Sequence, residues 1–78
     1  MLEKRLKLII TFYNTAAAMA MEKVCISYNL PGRLIPLPRE IDSGCGMVWC
    51  TATENRDELE KIAQNKNIEI SGIYQLMI

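Results

Sequence analysis

The order of local patterns along the chain predicts an α+β fold, and three observations carry that expectation. Four strand-like stretches and two helix-period stretches follow one another as βαββαβ. The first and third strand-like stretches are unbroken and apolar, whereas the second holds Pro36 and Pro38. Each helix-period stretch is bracketed by residues that start and stop helices.

Leu6-Lys7-Leu8-Ile9-Ile10-Thr11-Phe12 is β-branched and aromatic and too short for a stable helix, so it reads as a largely buried strand. Asn14 or Thr15 is then suited to cap the Ala-rich run behind it. Ala17, Met21, Val24, Cys25 and Tyr28 recur at helical spacing, which predicts a helix over about 15–28 with these residues facing a core. Asn29-Leu30-Pro31-Gly32 ends it: Pro31 cannot continue the ladder, and Gly32 tolerates the left-handed conformation of a turn. Residues 33–38 form a proline-bearing strand that belongs at a sheet edge, because proline has no N–H to donate. A loop from Arg39 to Gly46 closes in Ser43-Gly44-Cys45-Gly46, whose glycines permit backbone angles that other residues avoid.

Met47-Val48-Trp49-Cys50-Thr51-Ala52 is the third strand. Asn55-Arg56-Asp57-Glu58 has the capping-box pattern, with Leu59, Ile62 and Ala63 as the apolar stripe of a second helix over about 56–66. Asn67 ends it, and 68–78 supplies the last strand, with Gly72 marking a bulge or bend. A four-stranded antiparallel sheet with both helices on one face, the ferredoxin-like arrangement, satisfies this order. It makes the first and third strands central and the second an edge, as their prolines require.

Composition bounds the function. Seventy-eight residues are expected to make one domain, 1–78, with no room for a separate catalytic one. The chain is 50% apolar and 23% charged, the balance of an ordinary globular protein. There is no histidine, which removes the usual general base, the Ser-His-Asp and Cys-His systems and every His-ligated metal. Net charge is zero, so there is no general attraction to nucleic acid or anionic lipid. The halves differ, however. Residues 1–39 hold six basic and two acidic side chains, and 40–78 hold three and seven, which reads as complementarity within the fold. No apolar run approaches the length of a membrane span. Met1-Leu2-Glu3-Lys4-Arg5 leads into a strand without a small-residue cleavage site, so a cytoplasmic location is expected.

Reactivity therefore falls to cysteine. In the predicted topology the first helix begins, the second strand ends and the third begins at one end of the sheet. That end gathers Asn14, Thr15, Arg39, Ser43, Gly44, Cys45 and Gly46. A thiolate at Cys45 would meet a helix N-terminus, a guanidinium and loop N–H groups, all of which favour the anion. Cys25, on the helix stripe, reads as inert core. Cys50 is five residues along from Cys45, roughly 16 Å in extended chain, too far for a disulfide within the strand. Cys25 and Cys50 are expected toward the opposite end, as candidate neighbours in the core. The fold opposes convergence of all three thiols and no CxxC is present, so neither a metal site nor a cofactor is expected. Met19, Met21 and Met47 read as core fillers. Trp49 has two readings, under the helices or on the open face, where it would favour self-association into a homodimer.

The stretch from Leu30-Pro31-Gly32-Arg33 through Pro38-Arg39-Glu40-Ile41-Asp42-Ser43-Gly44-Cys45-Gly46 closely resembles the Putative Se/S carrier protein-like family, small bacterial domains. So does the start, Ile10-Thr11-Phe12-Tyr13-Asn14-Thr15 followed by Ala20-Met21-Glu22-Lys23. The resemblance implies carriage of sulfur or selenium, with the family's loop cysteine at Cys45 and its basic residue after the second strand at Arg39. It further implies donor and acceptor proteins as partners, and a chain that is cargo carrier rather than enzyme. Two rival readings stand beside it: a non-catalytic interaction or regulatory module, and a thiol redox protein in which Cys45 is oxidised.

Overall fold

In a computed structural model, describing residues 4–42 and 44–78, the strands are β1 (Leu6–Phe12), β2 (Arg33–Pro36), β3 (Met47–Ala52) and β4 (Ile70–Met77). The helices are α1 (Thr15–Ser27) and α2 (Arg56–Asn65), the latter entered through a short 3₁₀ turn, Thr53–Asn55. The sheet order is β2-β3-β1-β4 and every pairing is antiparallel. This is the α+β, ferredoxin-like arrangement, with β1 and β3 central. The second strand stops at Pro36, two residues short of expectation, and Pro38 lies beyond the ladder.

The pleat sorts the side chains into two layers. Leu8, Ile10 and Phe12 of β1 and Trp49 of β3 face the helices, where Ala18, Met21 and Cys25 of α1 and Leu59 and Ala63 of α2 close over them. Register places Ile10 opposite Trp49, and the indole is 2% exposed. Trp49 is therefore core and lends nothing to a self-association patch. Ile9, Val48 and Cys50 face the other way, and Ile41 folds back from the β2–β3 loop onto them with Ile35, Leu37 and Leu76. The stripe of α1 is centred on Ala18, Met21 and Cys25; Tyr28 is exposed rather than facing the core, and Met19 is exposed as well. Met21 and Met47 pack as expected.

Both helices end in the same way. Asn29 and Asn67 take left-handed conformations, each at φ 56°. Leu30 N–H then reaches Cys25 O at 2.8 Å, and Ile68 N–H reaches Ala63 O at 2.9 Å, satisfying carbonyls of the last turn. The starts differ. Asn14 Oδ1 accepts from Ala17 N–H at 2.9 Å and caps α1. Asn55 does not cap α2: its Nδ2 donates to Thr51 Oγ1 (3.0 Å), which in turn donates to Pro31 O (2.8 Å). The side chain that the capping-box pattern assigns to the helix is used to tether the α1–β2 turn to β3.

That tether holds Gly32 at φ 135°, where a Cβ would lie 2.7 Å from Trp49 Cε2 and Nε1. Only glycine fits, for conformation and for space. At the far edge, β1 and β4 shift register between Thr11, opposite Gly72, and Phe12, opposite Ile70, so Ser71 is the extra residue of a bulge beside Gly72.

Candidate functional site

At the end of the sheet where α1 begins, Asn14 accepts from Ala17 N–H through its side chain and from Ala18 N–H through its carbonyl (3.4 Å). The N–H groups of Thr15 and Ala16 are left without an acceptor among the described residues. The β2–β3 loop returns to this end, closed by Leu37 N–H on Gly46 O at 2.9 Å. Its cysteine is thereby placed against the first turn of the helix. Cys45 Sγ lies 3.9 Å from Thr15 Oγ1 and accepts from Met47 N–H at 3.5 Å.

The expected cluster is thus assembled in part. Asn14, Thr15 and Cys45 meet; Gly44 lies beside the Tyr13 carbonyl, where a Cβ would stand 3.5 Å away. Arg39 is exposed and makes no hydrogen bond or ion pair with a described residue. Ser43 lies outside the described residues. Gly46 has no positive φ, so the backbone-angle argument does not hold for it; Gly44 and Gly46 leave the flanks of Cys45 without side chains, with open space around Gly46.

Cys45 itself departs from expectation. Its side chain joins the core layer beneath the helices and the residue is 3% exposed, whereas exchange with another protein calls for an accessible thiol. The loop turns Sγ inward, toward Thr15 Oγ1 and the Met47 N–H, into the layer that α1 covers.

The remaining cysteines are free thiols. Cys25 is fully buried, and desolvation pushes its pKa up to about 11, which makes it the inert thiol expected. Cys50 is not its neighbour. Alternation along β3 turns Cys50 to the open face while Cys25 lies under the helix layer, so the sheet separates them. Among the described residues no three Cys, Asp or Glu side chains converge as metal ligands, and no helix is long and apolar enough to cross a membrane.

Fold and site together define a small α+β fold that holds one loop thiol against a helix N-terminus. The sequence signature of the Putative Se/S carrier protein-like family matches residues 7–75, and the chain belongs to that family. No curated protein and no solved structure matches it.

Proposed function

We propose that the chain carries sulfur or selenium between proteins, holding it on Cys45 as a persulfide or selenosulfide. The observation that supports this most directly, within a family described as Se/S carrier-like, is the seat of Cys45 Sγ between Thr15 Oγ1 and the Met47 N–H. Loading is sulfane transfer. The Cys45 thiolate attacks the terminal sulfur or selenium of a donor's Cys–S–SH or Cys–S–SeH, and the donor thiolate leaves with the electron pair of the broken bond. Unloading repeats the step with an acceptor's nucleophile and returns Cys45 as thiolate. No net oxidation occurs and the chain turns over nothing of its own.

The outer atom stands one bond of about 2.05 Å beyond Sγ, and it carries negative charge. Thr15, Asn14 and the Thr15 and Ala16 N–H groups of the first turn supply the donors for that anion. Arg39 supplies positive charge from outside, and Ser43, two positions before Cys45 in the sequence, is assigned a hydroxyl donor's part. Gly44 and Gly46 leave a side-chain-free approach, and a partner protein draws the buried sulfur outward through it. The cytoplasm, where thiols stay reduced, suits this chemistry.

The test is site-resolved mass spectrometry after incubation with a persulfide donor, Cys–S–SH, or a selenosulfide donor, Cys–S–SeH. One added chalcogen on Cys45, absent from Cys45→Ser, is the expected result. Equal labelling of all three cysteines, or labelling that survives Cys45→Ser, overturns the assignment and favours the interaction-module reading.

A further inference from the structure

We propose that the open face of the sheet holds a second site, a groove that binds a carboxylate-bearing low-molecular-weight thiol and joins it to Cys50 as a mixed disulfide. The groove follows from how that face is covered. Ile41 and Leu37 close over Ile9 and Val48, but toward the other end of β3 the residues are small. Gly32 and Ala52 leave a cavity of about 470 Å³, walled by Lys7, Arg33 and Ile35 and reached by Cys50, which is 9% exposed. That volume is within the range of small-molecule sites.

Charge selects the ligand. Register sets Arg33 opposite Cys50 on β2 and Lys7 opposite Ala52 on β1, so the two cations flank β3 from both sides, about 10 Å apart across the strands. Among the described residues no Asp or Glu side chain lines the groove, Ile78 at the end of the chain bounds it beyond β4, and neither cation is ion-paired. A thiol beside Arg33, with Lys7 diagonally across β3 and neither side chain ion-paired, suits a molecule with sulfur at its middle and carboxylates at its ends. A cationic or neutral thiol leaves both charges unmatched.

The exchange balances without further reagents when the ligand arrives as its disulfide, RS–SR. The Cys50 thiolate attacks one sulfur and forms Cys50–S–SR. The other half leaves as RS⁻ with the electron pair of the old S–S bond, and the proton lost by Cys50 passes to solvent.

Glutathione disulfide, whose halves are anionic, and cystamine, whose halves are cationic, serve as probes on the full chain at low salt. Rates at Cys25, Cys45 and Cys50 are read from separate peptides, each normalised to the urea-unfolded chain. Expected is a Cys50 adduct that forms about tenfold faster with glutathione disulfide than with cystamine. Lys7→Gln and Arg33→Gln, with wild-type circular dichroism, each lower that preference about threefold, and added salt does the same. No Cys50 adduct, or a preference indifferent to both substitutions, overturns the proposal. Because Cys45 is scored on its own peptide, this result stands or falls separately from persulfide carriage.

Discussion

Gly32→Ala tests the packing at the α1–β2 turn most sharply. A side chain at φ 135° costs about 1–3 kcal/mol in backbone strain. The new Cβ also stands 2.7 Å from two atoms of the Trp49 indole and 2.8 Å from a third, and relieving such overpacking costs about 1–3 kcal/mol more. The combined loss of about 2–6 kcal/mol compares with a total of about 4–12 kcal/mol for a chain of this length, so the variant is expected to be marginal or unfolded at 25 °C. Urea unfolding followed by circular dichroism measures it, with Trp49 fluorescence as a second probe because the chain has one tryptophan. Gly46→Ala is the control, since a Cβ there meets nothing within 4 Å and φ is not positive; it is expected to stay within about 0.5 kcal/mol of wild type. Trp49→Phe removes the atoms that collide and an indole N–H that is buried without a partner among the described residues. In that background Gly32→Ala should cost at least about 1 kcal/mol less than in wild type. A loss below about 1 kcal/mol in wild type, or no coupling to Trp49, would refute the account of this turn.

Two further outcomes follow from the caps and the buried thiol. Asn14→Asp is expected to keep the stability of wild type while Asn14→Ala loses about 1 kcal/mol, because the Ala17 N–H needs only an acceptor. Asn55→Asp, by contrast, should lose about 1 kcal/mol in urea midpoint terms, since a carboxylate cannot donate to Thr51 as the amide does; a neutral result would restore Asn55 as a helix cap. For Cys25, the fold raises the pKa from 9.0 to about 11, so folded and unfolded chains both hold the proton below pH 9. Between pH 9 and 11 the unfolded chain loses it first, and stability should fall by about 2–3 kcal/mol over that window. Cys25→Ala flattens this slope in pH-resolved urea melts, and alkylation of Cys25 in the folded chain should stay slow at pH 9.

Local chemistry determined the element order, the edge position of the proline-bearing strand and a helix cap at Asn14 or Thr15, of which the structure uses Asn14. These depend on a residue's own backbone preferences and on its near neighbours, which a linear pattern carries in full. The same holds for Asn67 and for the bulge beside Gly72, where short-range geometry decides. It holds for bringing Cys45 to the start of α1 as well, because strand directions follow from the βαββαβ order.

Only tertiary structure decided the rest. Alternation along β3 says that Trp49 and Cys50 face opposite ways, but not which of them the helices cover; that depends on where Leu59, Ala63 and Met21 arrive. The burial of Cys45 depends on how tightly the loop docks on α1, and a Gly-Cys-Gly pattern carries no record of that distance. Asn55 matched a capping pattern yet was claimed by Thr51 and Pro31, a competition between a local and a distant hydrogen bond that sequence spacing cannot weigh. Lys7 belongs to no motif and Arg33 entered only through the family resemblance, and the two flank β3 because strand register places residues 26 positions apart on either side of it. Such pairings are set by the packing of whole elements, where the energy of one contact depends on all the others around it.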